Sequence, residues 1–309
     1  MAKYRILSID GGGIRGIIPA IFLQRLNDHP ALEGWLDAVD LIAGTSTGGL
    51  IALGIAAGID LAKIRELYET KGEEIFDDSW VDDLFDLGKV IGADYDNKNL
   101  RRELKRLLGN TALKQLKKKV LITAFDLDNG SKDPNKRSWK PKLFHNLPNR
   151  ESDGEQLAYK VGMYTSAAPT YFPPEDGYID GGVYAPNPSM CALAQSRDSR
   201  LKKPKSLSDI VLFSIGTGTS LTYIKLKKPD WGYAQWVKPL IGIWLDGVAG
   251  IADFQCKQLL MDRYYRLAPT FPPGTNIPMD GVKKVPYMIE FASKYKLHKA
   301  IQWIKRQWL

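Results

Sequence analysis

Apolar residues follow two alternating patterns along the chain. Short continuous apolar runs, rich in β-branched and aliphatic residues, are typical of strands that are buried on both faces. Such runs predict strands at residues 5–9, 39–43, 120–125 and 210–215. Between them, apolar residues recur at helical spacing, which predicts helices at residues 17–26, 50–57, 61–71 and 100–108. Strands that alternate with helices favour an α/β fold whose mostly parallel central sheet is covered on both faces.

The chain has 309 residues, which permits two domains but is also within the range of one large α/β domain. It contains neither an internal repeat nor a low-complexity linker. We therefore predict a single domain over residues 1–309, with residues 132–154 and 221–239 as excursions at its surface.

The composition excludes several classes of protein. Hydrophobic residues make up 44% of the chain and charged residues 25%, so an intrinsically disordered chain is excluded. The two cysteines, Cys191 and Cys256, cannot form a disulfide framework or a four-cysteine zinc site. The three histidines leave little material for a metal enzyme or for a Ser-His-Asp triad.

The net charge of +8 comes with basic clusters at residues 114–119, 132–142, 197–205 and 225–228. Such clusters are either solvated surface or sites that attract nucleic acid or anionic lipid, and neither a zinc-finger spacing nor an RNP motif supports nucleic acid. The N-terminus lacks the pattern of a signal peptide, and the longest apolar stretches are too short or too interrupted to span a bilayer. We therefore expect a cytoplasmic protein.

A glycine-rich loop follows the first predicted strand. Gly11, Gly12, Gly13 and Gly16 satisfy the G-x-G-x-x-G pattern between a strand and a helix. In dinucleotide-binding proteins an acidic residue ends the next strand, and the next strand here ends without one. The other interpretation is that the backbone N–H groups of the loop hold an anion, such as the oxyanion of acyl transfer. A tight turn that binds no ligand is the third interpretation.

A second glycine-flanked turn carries a candidate nucleophile, Ser46. Gly44 and Gly48 flank it in the pattern G-x-S-x-G. The pattern alone is weak, but it lies between a predicted strand and a predicted helix, which is the context of a nucleophile turn. Ser46 would then lie at a helix N-terminus, where the helix dipole stabilises negative charge. The alternative is a serine that only caps the helix.

A serine hydroxyl is a poor nucleophile without an adjacent base. None of His29, His145 and His298 lies in a turn typical of a catalytic histidine, and we expect each at the surface. Only His298 fits the chain order of an α/β-hydrolase triad.

Asp180 is the alternative base. It ends a predicted strand and is followed by Gly181 and Gly182, which let the backbone approach a neighbouring loop closely. We therefore expect Asp180 within hydrogen-bonding reach of Ser46, with a pKa raised by partial burial. A turn-capping aspartate is the other interpretation.

Three motifs occur together in this chain: Asp10-Gly11-Gly12-Gly13-Ile14-Arg15-Gly16, Gly44-Thr45-Ser46-Thr47-Gly48 and Asp180-Gly181-Gly182. Their combination resembles the signature of the patatin-like phospholipases, the plant patatins and their bacterial relatives. The resemblance continues at residues 166–174, 214–218 and 231–255, from Tyr68 to Phe76, and at Asp94-Tyr95. It covers roughly residues 4–260, so residues 261–309 are either a C-terminal extension or elements that complete the domain.

The resemblance implies a three-layer α/β/α fold and hydrolysis of lipid acyl esters by a Ser-Asp dyad, without a metal or cofactor. It implies that Ser46 is the nucleophile and Asp180 the base. It also implies an oxyanion hole at the backbone amides of Gly11, Gly12 and Gly13. The remaining motif residues would support these roles: Arg15 buttresses the loop, Asp10 anchors it, and Gly16, Gly44, Gly48, Gly181 and Gly182 give close packing. The expected reaction forms an acyl-enzyme on Ser46, which water activated through Asp180 then hydrolyses.

The implied substrate is a phospholipid or galactolipid, so we expect peripheral contact with an anionic membrane surface. Two segments rich in tryptophan and lysine are candidates for this contact: residues 225–245 and residues 289–309. The alternative for the first segment is the core of a helix pair. Some bacterial members of the family are switched on by a cyclic-nucleotide second messenger, so a small-molecule activator is a further expectation.

Three hypotheses from different classes remain open from the sequence. The first is a serine acyl hydrolase of the phospholipase A or lysophospholipase type. The second is a nucleotide-binding oxidoreductase that uses the glycine loop at residues 11–16. The third is a non-catalytic membrane-binding module that uses the basic, tryptophan-rich surface.

Overall fold

The computed structural model describes residues 3–75, 97–169, 171–225 and 230–309. Several positions named above lie outside the described residues: Phe76, Asp94, Tyr95, Thr170, Lys227 and Lys228. The side chains of Tyr233 and Lys238 lie outside them as well.

A mostly parallel sheet forms the centre of the described fold. Its strands are β1 (Tyr4–Ile9), β2 (Leu41–Thr45), β3 (Lys119–Asp126), β4 (Lys140–His145), β5 (Tyr178–Asp180), β6 (Ile210–Ile215) and β7 (Tyr264–Leu267). The strand order is β4-β3-β2-β1-β6-β7, and β5 also pairs with β3. β4 and β5 run antiparallel to β3, whereas the other pairs are parallel.

Helices cover both faces of this sheet. They are α1 (Ile17–Asn27), α2 (Thr47–Ala57), α3 (Leu61–Ile75), α4 (Lys98–Leu108), α5 (Ala158–Ser166), α6 (Ser189–Ser196), α7 (Tyr233–Leu260), α8 (Val285–Lys294) and α9 (His298–Trp303). Side chains of α1 to α5, α8 and α9 share one apolar cluster with one face of the sheet, and side chains of α6 and α7 share a second cluster with the other face. Successive strand residues alternate between the two clusters, as Ile6 and Leu7 do on β1. The expected three-layer α/β/α fold is therefore confirmed.

Two expected surface excursions contain regular structure instead. β4 lies within residues 132–154, and α7 begins at Tyr233, within residues 221–239. β4 is an edge strand, where Pro141 and two lysines are tolerated, so it lacks the apolar run on which the prediction relied. β2 also begins and ends two residues later than expected, and α2 begins at Thr47 rather than at residue 50.

Residues 261–309 pack directly against the motif-bearing part of the chain. β7 extends the sheet beside β6, and α8 packs on α1. The side chain of Arg25 donates to the carbonyl oxygens of Ala292 at 2.6 Å and Tyr295 at 2.9 Å. The structure contradicts the expectation that residues 289–309 form a membrane-contacting segment, because Trp303 and Trp308 are buried in the core.

Candidate active site

The carboxyl ends of β1, β2 and β6 meet at one edge of the sheet. From β1 the chain continues to β2 and β3 on one side, and only later returns to β6 and β7 on the other side. Open α/β sheets bind ligands at such a switch point, outside the carboxyl ends of the strands. The glycine loop at residues 11–16 follows β1, Ser46 follows β2, and Gly216 follows β6. The fold thus brings separate sequence motifs to one place.

Ser46 lies in a strained turn between β2 and α2. Its φ is 54° and its ψ is −127°, a conformation that residues other than glycine rarely adopt. A Cβ atom added at Gly44 would lie 2.3 Å from the Gly48 carbonyl oxygen, and one added at Gly48 would lie 2.2 Å from the Ile9 carbonyl oxygen. The Ser46 N–H donates to Oγ1 of Thr165 at 2.8 Å. The strand, the sharp turn and the helix expected around this serine are all present.

β5 carries Asp180 to the end of β2. Because β4 occupies one edge of β3, β2 and β5 share the other edge and follow one another along it. Thr45 pairs with Thr123 and Asp180 pairs with Ala124, the next residue of β3. Asp180 therefore lies beside the turn that carries Ser46, although the two residues are distant in sequence.

The Asp180 carboxylate is buried and hydrogen-bonded. The Gly182 N–H donates to its Oδ1 atom at 2.7 Å, and the Ser46 side chain lies close enough to lower the pKa of this carboxylate. Burial raises the pKa of Asp180 to about 6, and the interactions with Ser46 and with the Gly182 N–H only partly oppose this effect. A Cβ atom added at Gly181 would lie 2.2 Å from Oγ1 of Thr123, so glycine is required for this close approach.

The glycine loop presents backbone amides beside Ser46. A Cβ atom added at Gly11 would lie 3.3 Å from the Ser46 Cβ atom, which measures how closely the loop approaches the turn. The Gly11 N–H donates to the Pro186 carbonyl oxygen at 2.9 Å. Within the part of the chain that the structure describes, the N–H groups of Gly12 and Gly13 have no hydrogen-bond partner. Gly12 and Gly13, but not Gly11, therefore have amides free to bind an anion.

Two later segments hold the loop in place. Oγ1 of Thr217, after β6, donates to the Gly11 carbonyl oxygen at 2.8 Å. The Met279 carbonyl oxygen accepts the Ile14 N–H at 2.8 Å, and it would lie 2.1 Å from a Cβ atom added at Gly13. Gly13 has a φ of 58°, so both its backbone conformation and its surroundings favour glycine.

Arg15 and Gly16 complete the loop. The Arg15 side chain donates to the carbonyl oxygens of Gly12 at 3.4 Å and Gly218 at 3.3 Å, and burial lowers the pKa of its guanidinium. A Cβ atom added at Gly16 would lie 2.1 Å from Oγ1 of Thr47, at the start of α2. Arg15 thus links the glycine loop at residues 11–16 to Gly218 in the segment after β6. Gly16 permits the close packing of the N-termini of α1 and α2.

Asp10 is held by an arginine from β7. Arg266 donates to the two carboxylate oxygens of Asp10 at 3.1 and 2.5 Å and to Oγ of Ser214 at 2.7 Å. Burial opposes the charge of Arg266, but the Asp10 carboxylate outweighs it and raises the pKa of the guanidinium. The Asp10–Arg266 ion pair therefore connects the start of the glycine loop to β7, which lies beyond β6 in the sheet.

A cavity of about 250 Å³ contains Ser46, Asp180 and the glycine loop. Its wall includes apolar side chains from several elements: Leu50, Leu100, Phe172, Ile241, Trp244 and Leu245. None of the chain's histidines, all of which are described, lines this cavity. His145 was expected at the surface but is buried at the end of β4, because β4 is part of the sheet.

Several site residues were missed by the sequence analysis. Thr165, Thr217, Met279 and Arg266 support the motif residues, and the hydroxyl of Ser166 lines the cavity while buried without a hydrogen-bond partner among the described residues. Thr165, Ser166 and Thr217 lie within or next to segments that resemble the family, which was an available signal. Arg266 and Met279 lie beyond residue 260, where no motif marked them.

Comparison with known proteins places these features in a family context. A family model described as patatin-like phospholipase matches residues 7–193. The cGAMP-activated phospholipase of Escherichia coli is 33% identical over an alignment 253 residues long, which covers 75% of this chain and 68% of that protein. Patatin-17 of Solanum cardiophyllum is 32% identical over 75% of this chain and 66% of its own length. The chain thus spans about two thirds of the length of these two relatives.

Solved structures were also compared. VipD from Legionella pneumophila aligns with 94% of this chain and 67% of its own, at 12% identity and a TM-score of 0.42.

Proposed function

The chain belongs to the patatin-like phospholipase family, and on this premise we propose that it hydrolyses fatty-acyl esters of membrane lipids with Ser46 and Asp180 as a catalytic dyad. The observation that carries the proposal is the position of the buried Asp180 carboxylate beside Ser46, close enough for the serine side chain to lower the pKa of the carboxylate. Family membership favours a lipid hydrolase, and the assignment of the two residues to the reaction is our own.

Asp180 is the base in this mechanism. Its pKa of about 6 leaves the carboxylate ionised at neutral pH but makes it a better proton acceptor than an ordinary aspartate. As Ser46 attacks the acyl carbonyl carbon, its proton moves to Asp180 and the carbonyl oxygen becomes an oxyanion. Asp180 then returns the proton to the leaving alcohol as the acyl-enzyme forms. Water hydrolyses the acyl-enzyme by the reverse proton movements and releases the fatty acid.

The amides of Gly12 and Gly13 are the oxyanion donors that we propose. They have no partner among the described residues, whereas the Gly11 amide is occupied by Pro186. Donors that are already fixed cost no reorganisation when charge develops, which is the main benefit of an oxyanion hole. The contacts of Arg15 with the Gly12 and Gly218 carbonyl groups support a buttressing role for its side chain.

The cavity wall supports an apolar acyl chain as the bound part of the substrate. Aliphatic and aromatic side chains surround Ser46, and a fatty-acyl chain would gain free energy by leaving water there. We therefore propose a phospholipase A or lysophospholipase type of reaction on a phospholipid or galactolipid. The oxidoreductase alternative is disfavoured, because β2, the strand that follows the glycine loop, ends at Thr45 and not at the acidic residue that a dinucleotide site requires.

A fluorophosphonate probe followed by mass spectrometry tests the proposal. We expect covalent labelling at Ser46, loss of labelling in Ser46→Ala, and at least about a hundredfold slower labelling in Asp180→Asn. Ser138→Ala, which changes an exposed serine, should label like the original protein. A folded protein that is not labelled at Ser46 would refute the dyad.

Regulation by a small molecule is a second proposal. Its support is the similarity to a bacterial relative whose name records activation by cGAMP. We expect a cyclic dinucleotide to increase the rate of lipid hydrolysis. An assay with and without such compounds tests this, and unchanged rates over a panel of cyclic dinucleotides would reject it.

We also propose that the whole chain forms one domain that residues 261–309 complete. β7, the Asp10–Arg266 ion pair and the contact between Met279 and Ile14 support this proposal.

A further inference from the structure

A line of large apolar side chains lies on the outward face of α7. Each is at least 38% exposed, and together we call them the α7 apolar stripe: Trp236, Leu240, Ile243, Trp244, Ile251 and Phe254. Trp236, Leu240 and Trp244 are four residues apart, Ile251 and Phe254 follow after seven and three more, and Ile243 precedes Trp244, so all six lie within about 100° of the helix circumference. At 1.5 Å per residue the stripe is about 27 Å long.

The opposite face of α7 is apolar as well. Ala252, Cys256 and Leu260 are buried and pack against the sheet. A helix at a protein surface normally carries polar side chains on its outward face, whereas a helix that is apolar all round is normally covered. An exposed apolar patch of this extent marks an interaction surface.

The stripe is continuous with the candidate active site. Ile241, Trp244 and Leu245 of α7 line the cavity that contains Ser46, and Trp244 belongs to both the cavity wall and the stripe. A protein partner bound against Trp244 would cover this side of the cavity. A lipid surface bound there would instead supply acyl chains to the cavity. The geometry therefore favours lipid as the occupant.

The net charge of +8 favours an anionic partner, whereas the described charges next to the stripe are of both signs, with Asp230 and Asp246 exposed as well as lysines. The two carboxylates of α7 lie off the stripe: Asp246 interacts electrostatically with Arg15, and Asp253 accepts a hydrogen bond from the Tyr264 hydroxyl at 2.7 Å. Lys225 and Lys257 are exposed before the helix and in its last turn. Among the described residues, no helix combines the length and apolar character needed to cross a bilayer.

We propose that the α7 apolar stripe docks on an anionic lipid bilayer and orients the cavity towards it. This inference rests on the proposed function for its biological meaning, but the docking itself can be measured without catalysis. Apolar side chains that enter the acyl region and lysines that stay at the headgroups are the usual features of interfacial helices.

Vesicle flotation of the inactive Ser46→Ala protein tests the docking. The vesicles contain four parts of phosphatidylcholine to one part of phosphatidylglycerol. We expect the protein to float, and we expect the added changes Leu240→Gln, Ile251→Gln and Phe254→Gln to weaken binding at least about tenfold. None of these three side chains lines the cavity. When the three changes are made in the protein that keeps Ser46, it should therefore still hydrolyse a soluble short-chain ester but lose hydrolysis of vesicle lipid. Trp139→Gln is the matched control, because Trp139 is 71% exposed but lies before β4.

Each alternative outcome is decisive. Flotation of the triple variant equal to that of its parent would overturn the proposal. A dimer in sedimentation equilibrium that the triple variant converts to monomers, without flotation of either, would mean that a second copy covers the stripe. Equal binding to neutral and anionic vesicles would overturn the role of charge. Flotation of Ser46→Ala together with no ester hydrolysis by the unmodified protein would support docking and refute the proposed function instead.

Discussion

Asp180 shows how a single buried carboxylate acquires the properties of a base. Its ordinary pKa is 3.8, and burial raises it to about 6 because the charged form loses the solvation that water would provide. The Gly182 N–H keeps the carboxylate oriented, and its interaction together with that of Ser46 partly offsets this loss. Two experiments follow from this one shift.

The first is the pH dependence of activity. If Asp180 accepts the Ser46 proton, kcat/KM for a soluble ester should be constant above about pH 7 and fall tenfold per pH unit well below pH 6, because the protonated acid is no longer a base. Rates measured between pH 4 and 9 give the midpoint. A midpoint near 3.8 would contradict the raised pKa.

The second is the pH dependence of stability. Because the pKa of Asp180 is higher in the folded protein than in the unfolded chain, ionised Asp180 destabilises the fold fully above pH 6 and not at all below pH 3.8. Asp180→Asn should therefore raise the free energy of unfolding by about 3 kcal/mol at pH 8, and this gain should disappear as the pH falls towards 4. Urea unfolding of both proteins at the two pH values is the measurement. An equal gain at both pH values would point to a cause other than ionisation.

Ser166 offers a test that separates activity from stability. Its hydroxyl is buried in the cavity wall without a partner among the described residues, so Ser166→Ala removes an unsatisfied polar group and should not lower the melting temperature. We expect the same change to lower kcat/KM for lipid several-fold, because the hydroxyl is available to a polar atom of the substrate. Thermal unfolding and kinetics on the same preparation decide the matter, and unchanged kinetics would exclude contact with substrate.

At the scale of elements, the glycine loop depends on contacts from distant parts of the chain. Thr217 holds it from the end of β6, and Met279 holds it from the segment before α8. The amides of Gly12 and Gly13 can stay fixed in the absence of substrate, because the N–H groups on either side of them, those of Gly11 and Ile14, donate to the carbonyl oxygens of Pro186 and Met279.

Gly13→Ala tests this fixed geometry. The added Cβ atom would lie 2.1 Å from the Met279 carbonyl oxygen, so the loop must move, and we expect kcat/KM to fall about a hundredfold. Gly130→Ala is a matched control, because Gly130 has a φ of 61°, close to the 58° of Gly13, but has no atom within 4 Å of an added Cβ. Equal activity losses in the two variants would mean that backbone strain, and not the clash, is responsible.

At the scale of the whole molecule, the C-terminal residues belong to the same core as the motifs. Trp308 is fully buried, its indole N–H donates to the Trp35 carbonyl oxygen at 2.9 Å, and its ring lies edge-on to Phe213 of β6. Elements that share one core unfold together, whereas an independent extension would unfold separately.

Trp308→Ala should therefore lower the stability of the entire protein by about 3–5 kcal/mol. We expect one cooperative thermal transition that moves as a whole to lower temperature, with Trp139→Ala as the exposed control. Calorimetry gives the result directly. A second transition, separate from an unchanged main one, would contradict our proposal of a single domain.

The sequence predicted much of the fold because its signals are local. The apolar runs of β1, β3 and β6 were placed within one residue of their observed bounds, since central strands of a parallel sheet are apolar on both faces. β4 was missed because an edge strand can contain Pro141 and lysines. α7 was missed at its start because Pro239 lies inside the helix, where proline normally indicates a break.

By itself, the sequence determined the α/β class, the family, and which glycines, serine and aspartate to examine, because turn chemistry and apolar periodicity are properties of neighbouring residues. Only the tertiary structure decided that Asp180 lies beside Ser46, that Pro186 occupies the Gly11 amide, and that Arg266 and Met279 support the site. It also decided that Trp308 is core while the α7 apolar stripe is exposed. The physical reason is that a hydrogen bond or a buried surface depends on which atoms lie next to each other in space. The pairing of β2 and β5 along one edge of β3 brings Ser46 and Asp180 together, although they are too distant in sequence for any local pattern to relate them.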